Sequence, residues 1–166
     1  LNYSFKTTVV MFSKNPFATI GKKFESFRFN TPISEIENSD LIILVGTNPK
    51  IEAPIINHKI FKSFNNGTEV FNIGENILLN YSTNYLGQKL NELNNPKLLK
   101  QIKKSSNPLL IIGTGFLSQI KSPETLKSII SYAKNNKILT EDRNNLNFLS
   151  PYASRVGQLL LGNTTN

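Results

Sequence analysis

Not one of the 166 residues is a cysteine. Disulfides are therefore impossible, thiolate zinc sites are excluded, and this polypeptide cannot hold an iron–sulfur cluster on cysteine ligands. Tryptophan is absent too, and histidine occurs once, as His58 between Asn57 and Lys59. A single imidazole without thiolates makes a poor metal site, and no G-x-S-x-G elbow signals a nucleophilic serine. His58 therefore reads as a surface or interface residue, and no metal ligand or catalytic residue is expected on the chain. Neither G-x-G-x-x-G nor G-x-x-x-x-G-K-[ST] occurs, so the usual glycine-rich phosphate signatures are missing. No apolar run approaches the ~20 residues of a membrane helix. No secretory signal is evident either.

Charged residues make up only 18% of the chain, and the acids are the scarcer sign, 11 Asp and Glu against 19 Lys and Arg for a net charge of +8. Such a balance fits either an anionic partner (nucleic acid or membrane surface) or a basic organellar protein with acidic neighbours. The densest basic groups are Lys22-Lys23 and Lys100 with Lys103-Lys104, and no aromatic residues interleave with them. That weighs against nucleic acid, which stays as an alternative: a basic nucleic-acid-binding α/β domain. Asn takes up much of the polar allotment and Lys and Ile are plentiful, a coding bias expected of an AT-rich, organellar genome. The length suits one domain with a sizeable core.

The clearest segment is Leu41–Val45, five consecutive apolar residues of the kind a parallel strand buries on both faces. Gly46-Thr47-Asn48-Pro49 breaks it, and Ile51, Ile55, Ile56 and Ile60 then recur at helical spacing, with Pro54 tolerated in the first turn of that helix. Asn65-Asn66-Gly67 signals a turn, and Glu69–Ile73 alternates up to Gly74 as a second strand would. Glu75 to Leu90 is expected to be a long loop ordered by Tyr81 and Tyr85. Asn95 caps a helix starting at Pro96, with Leu98, Leu99 and Ile102 facing in. Pro108–Ile112 repeats the apolar run and ends in Gly113-Thr114-Gly115.

Ser122, Pro123 and Glu124 mark a helix start, followed by a stripe of Leu126, Ile129, Ile130 and Ala133. Lys137 to Thr140 is expected to be a fourth strand. Leu146 to Leu161, with Leu149, Ala153, Val156, Leu159 and Leu160, is expected to be a helix ending at Gly162. At the other end, Thr7 to Phe12 is readable as a strand or short helix, and Phe24, Phe27 and Phe29 stud a loop. Ile33 and Ile36 are expected to face inward. Residues 1–37 thus form an extension and loop, and residues 38–166 an α/β domain. Alternating strands and helices predict a doubly wound, mostly parallel sheet flanked by helices, with right-handed crossovers.

The string around the first break also carries a resemblance. Asp40, Val45, Gly46, Thr47, Asn48, Pro49, Lys50, Glu52, Ala53, Pro54, Asn57 and Ile60 closely match a stretch of the seventy-five-kilodalton iron–sulfur subunits of respiratory complex I, NADH:ubiquinone oxidoreductase. Further matches follow in order: Phe29-Asn30-Thr31, Ile73-Gly74, Leu79-Asn80-Tyr81, Leu86-Gly87, Pro108 to Gly113, and Ala153-Ser154 with Val156. A bare G-x-N-P also occurs in pterin-dependent oxidoreductases, whereas the extended V-G-T-N-P-x-x-E-A-P string is far more specific.

The resemblance implies the Rossmann-like part of a pterin-oxidoreductase-type domain that has lost its cofactor, partial relative to the family. It also implies a structural piece of the largest peripheral-arm subunit, on the matrix side of the mitochondrial inner membrane. Iron–sulfur clusters and FMN are then expected on partner subunits, foremost the cysteine-bearing iron–sulfur piece of the same subunit. The membrane would be met only through the complex, and alone the chain is expected to leave an apolar surface exposed. The enzyme-class alternative is a fragment of a pterin-dependent oxidoreductase.

Open α/β sheets bind ligands beyond the carboxyl ends of their strands. The two strand-end turns are therefore the candidate site: Gly46, Thr47 and Asn48 on one, Gly113 and Thr114 on the other. They read as vestigial, architectural turns rather than a working cofactor site. Glu52 and Asp142 lack partner carboxylates at helical spacing and read as capping or surface acids. Arg155 reads as facing a neighbouring subunit.

Overall fold

Leu41–Val45 (β1) is buried at all five positions, and the chain is wound around it. A computed structural model describes residues 28–117 and 123–149. In chain order the further elements are α1 (Pro49–Glu52), α2 (Pro54–Asn65), β2 (Glu69–Ile73), β3 (Asn84–Gly87), α3 (Pro96–Lys104), β4 (Pro108–Ile112), α4 (Thr114–Leu117), α5 (Pro123–Asn135) and β5 (Leu146–Phe148). The strands form one sheet in the order β3-β2-β1-β4-β5, and every pairing is parallel. Leu41 stands opposite Glu69 on one side and Pro108 on the other, so the three apolar runs sit level.

Because side chains alternate across a strand, each run supplies two cores. Leu41, Ile43 and Val45 join Phe71, Ile73, Leu110 and Ile112 beneath Leu98 and Ile102 of α3 and Leu126, Ile129 and Ala133 of α5. Ile42 and Leu44 join Val70, Leu109 and Ile111 beneath Ile36 and the α2 residues Ile56 and Ile60. The doubly wound, helix-flanked α/β architecture expected from the sequence is therefore present. The chain runs outward from β1 through β2 to β3, then returns to β4 on the other side of β1. The switch point lies between β1 and β4.

Several local expectations give way to the structure. The helix after β1 is two helices: Ala53, at φ −153° and ψ 73°, interrupts it. Pro54 lacks an N–H and disfavours helical geometry in the residue before it, so it opens α2 instead of continuing α1. The interruption leaves Ile51 and Ile55 outside the core at 76% and 69% exposure. Ile36 is buried in a short 3-10 helix, Ile33–Asn38, but Ile33 is 46% exposed. Leu99 and Ile130 are only half-buried.

Within the expected loop after β2 lies β3, which among the described residues pairs on one side only and shifts register before Gly87. The strand that follows β4 is not the expected Lys137–Thr140, where Leu139 makes just an isolated antiparallel bridge to Asn144. It is Leu146–Phe148, expected to be helical but drawn against β4, with Leu149 N–H donating to Ile112 O at 2.9 Å. A three-residue segment carries no readable period, so its neighbours decide its state. Thr7–Phe12, Phe24, Phe27, Ser122 and the stretch from Ala153 through Arg155, Val156, Leu159 and Leu160 lie outside the described residues.

Two polar networks hold the sheet's margins. Beside β5, Asn147 is fully buried; its side-chain oxygen accepts from the N–H groups of Asn30 and Thr31 at 2.7 and 2.8 Å. Its amide nitrogen donates to Thr31 Oγ1 and Asn145 O at 2.9 and 3.1 Å. At the amino ends of β1 and β4, Asp40 accepts from Ser105 Oγ, Ser106 N–H and Asn107 N–H. Partial burial works against its ionisation, but the three hydrogen bonds together outweigh that and hold the carboxyl below its ordinary value of 3.8.

A depressed carboxyl stabilises the fold fully above its unfolded value, and the contribution is lost as pH falls through the folded value. Asp40→Ala is accordingly expected to lower the melting temperature near neutral pH, with the gap to wild type closing on acidification below about 4. A gap unchanged down to about pH 2 would show that the ionised carboxylate contributes nothing there.

Candidate functional site

The carboxyl ends of β1, β2 and β4 converge on the switch point, and the turns leaving β1 and β4 touch there. Gly46 sits at φ +56°, a left-handed conformation that disfavours side chains. Its N–H donates to Ile73 O at 2.8 Å, and its carbonyl accepts from Gly115 N–H at 2.9 Å. Gly113 lies against the flank of Thr47: a Cβ built there would stand 2.2 Å from Thr47 Cβ. The structure thus brings the sequence-derived residues Gly46, Thr47, Asn48, Gly113 and Thr114 together, edge to edge.

Beside them opens a crevice of about 540 Å³, whose wall includes Thr47, Glu52, Gly74, Glu75, Lys89 and Phe116. In this fold class backbone N–H groups at such a place hold anions. Here the anion is internal. Glu52, at the end of α1, accepts from Asn48 N–H through one carboxylate oxygen at 2.6 Å. Its other oxygen accepts from Thr114 N–H at 3.1 Å, 62 residues further along the chain. One carboxylate thereby fastens the β1 turn to the β4 turn.

The remaining chemistry is mixed. Thr47 Oγ1 and Asn48 Oδ1 are buried without a hydrogen-bond partner among the described residues; the Thr47 hydroxyl could donate to a phosphate oxygen, whereas Asn48 Oδ1 is an acceptor that would repel one. Gly46 and Phe116 leave no slack, since a Cβ on Gly46 would lie 2.5 Å from Phe116 N. A phosphate seated on the Asn48 and Thr114 amides would have to displace Glu52.

The role of Glu52 escaped the sequence reading, which made it a capping or surface acid. The capping half holds, through Asn48 N–H; the contact to Thr114 has no local signature. The only available hint is an acid four residues after Asn48, within reach of the helix start. Elsewhere His58 is exposed on α2, Asp142 is exposed in a turn, and among the described residues no cluster of His, Cys, Asp or Glu is placed to hold a metal.

Removing the bridge gives a direct measure of it. Glu52→Ala is expected to lower stability by about 1–3 kcal/mol, because two backbone N–H groups lose a charged acceptor. It should also speed hydrogen exchange at Thr114. Unchanged exchange at that amide would mean that the bridge does not hold the β4 turn.

Most of the chain is similar to one stretch of much longer proteins. A NADH-ubiquinone oxidoreductase 75 kDa subunit from Reclinomonas americana is 36% identical over 139 residues, covering 80% of this chain and 20% of that protein. The mitochondrial NADH dehydrogenase [ubiquinone] iron-sulfur protein 1 of Solanum tuberosum is 32% identical over 139 residues, covering 80% of this chain and 19% of that protein. A mitochondrial NADH-ubiquinone oxidoreductase 78 kDa subunit from Candida albicans is 30% identical over 145 residues, covering 84% and 20%. The chain therefore spans about one fifth of the length of the curated relatives it matches. The family model for molybdopterin oxidoreductases matches residues 2–166. With that match running nearly end to end over a doubly wound parallel sheet, the chain belongs to the molybdopterin oxidoreductase family.

Proposed function

We propose that this chain is a structural piece of mitochondrial NADH:ubiquinone oxidoreductase, part of its seventy-five-kilodalton subunit, and carries no redox centre of its own. The observation that carries this reading is the Glu52 bridge at the switch point. The family name implies a pterin cofactor, and the residues at the crevice do not fit one. A carboxylate holds the amides that a phosphate would need, and the glycine turns are packed against each other. The full sequence contains no cysteine to ligate a cluster. Electrons from NADH then pass through neighbouring polypeptides that hold FMN and iron–sulfur clusters. Chief among these is the cysteine-bearing piece of the same subunit.

The chain would sit in the peripheral arm on the matrix side of the inner membrane, meeting the membrane only through the complex. Exposed Ile51, Ile55 and Leu78, at 76%, 69% and 93%, supply apolar surface for neighbours. A peptide inventory of the intact complex, joined to elemental analysis of the isolated chain, tests the proposal. The chain should be present in stoichiometric amount and hold neither molybdenum nor tungsten. Its absence from the complex would overturn the assignment, and bound molybdenum or tungsten would instead make it a fragment of a pterin-dependent oxidoreductase.

A further inference from the structure

The two faces of the sheet carry different charge. On the α2 side, Lys59 and Lys62 share Glu37 at 2.6 and 3.8 Å. On the other side, α3 carries Lys97, Lys100, Lys103 and Lys104 within nine residues and no acid. Lys97 is occupied, donating to Asn84 Oδ1 and lying over the Phe71 ring. Lys100, Lys103 and Lys104 are exposed and meet no carboxylate among the described residues. The acids beside the helix are hydrogen-bonded to groups other than its lysines: Glu69 to Gln101 of α3 itself, Glu92 to the cap residue Asn95, Asp40 to Ser105, Ser106 and Asn107. The neighbouring α5 adds exposed Lys127 and Lys134 against one acid, Glu124.

The helix that carries this array is fixed in place. Asn95 caps the helix through Lys97 N–H, and Leu98 and Ile102 lock its inner side into the core. Lys97, Lys100 and Lys104 therefore stand along one outer stripe about 10 Å long. Like charges three and four residues apart destabilise a helix, and only those in its last turn are offset by the helix dipole. Among the described residues no carboxylate pairs with Lys100. An opposing row of carboxylates would.

We infer that the outer face of α3 is a docking surface for an acidic protein surface of a neighbouring subunit. This rests on the assembly reading above. A nucleic acid is the poorer match. Neither α3 nor α5 bears an arginine for bidentate base or phosphate contacts. The aromatic ring of α5, Tyr132, is tied to Leu93 O at 2.8 Å and is not free to stack on bases.

Lysine acylation of the intact complex and of the isolated chain, read by peptide mass spectrometry, tests the inference. In the complex Lys100, Lys103 and Lys104 should lose most of their reactivity while exposed Lys137, in the turn after α5, serves as an internal comparison. A zero-length carbodiimide should join them to Asp or Glu of another polypeptide. The triple variant Lys100→Gln, Lys103→Gln, Lys104→Gln should melt close to wild type yet fail to enter the complex. Equal labelling in both states, or normal incorporation of the triple variant, would overturn the inference while leaving the assembly reading intact. A wild-type chain missing from the complex at low salt would overturn both. Salt-sensitive binding of the isolated chain to a labelled RNA, abolished by the triple substitution while incorporation persists, would assign the face to nucleic acid instead.

Discussion

Gly113→Ala is expected to lower the stability of the fold by about 3 kcal/mol, a heavy effect for one methyl group. The added Cβ would stand 2.2 Å from Thr47 Cβ and 2.6 Å from Thr47 Cα, so the backbone of the β1 turn itself has to move. That turn has little freedom. Gly113 N–H donates to Val45 O at 2.9 Å, Gly115 N–H donates to Gly46 O at 2.9 Å, and Glu52 ties both turns together. Gly67 supplies the comparison, since its φ is +97° but a Cβ there would meet nothing within 4 Å. Gly67→Ala should cost only the left-handed backbone penalty, about 1–2 kcal/mol. Chemical denaturation of the two variants separates contact from conformation. If Gly113→Ala proves no more destabilising than Gly67→Ala, the two turns are not packed as described.

Asn147→Leu is expected to cost about 4 kcal/mol even though the side chains are close in size. The leucine offers no acceptor to the N–H groups of Asn30 and Thr31, which are held against β5, Thr31 buried and Asn30 partly so. Each stranded donor costs roughly 1–3 kcal/mol. Thr31 Oγ1 and Asn145 O lose their donor as well. The loss should appear first as faster hydrogen exchange along β5 and residues 28–31, the segments that Asn147 joins. A variant within about 1 kcal/mol of wild type would mean that the margin is held by other contacts.

The central strands were legible because each is a local pattern. Leu41–Val45 and Pro108–Ile112 are uniformly apolar and each stops at a glycine, which is what a strand covered on both faces looks like in a parallel sheet. Asn95-Pro96 announced α3, and its cap is formed by Asn95 as expected. The edges were harder. β3 reads as loop because Asn84–Gly87 has no apolar run, and β5 reads as helix because Leu146 and Leu149 fit a helical stripe as readily as a strand. The candidate site was legible as a place, two glycine turns at strand ends. What fills it was not.

By itself the sequence determined the exclusions and the central frame. Absent thiols rule out cysteine-held clusters whatever the fold, and runs of consecutive apolar residues demand cover on both faces wherever they lie. Tertiary structure alone decided the rest. Glu52 meets Thr114 62 residues away, and Asn147 meets Thr31 116 residues away. The reason is physical. Propensity and periodicity describe how a residue relates to its near neighbours along the chain, whereas a carboxylate finds its second amide only once two strands have been laid side by side.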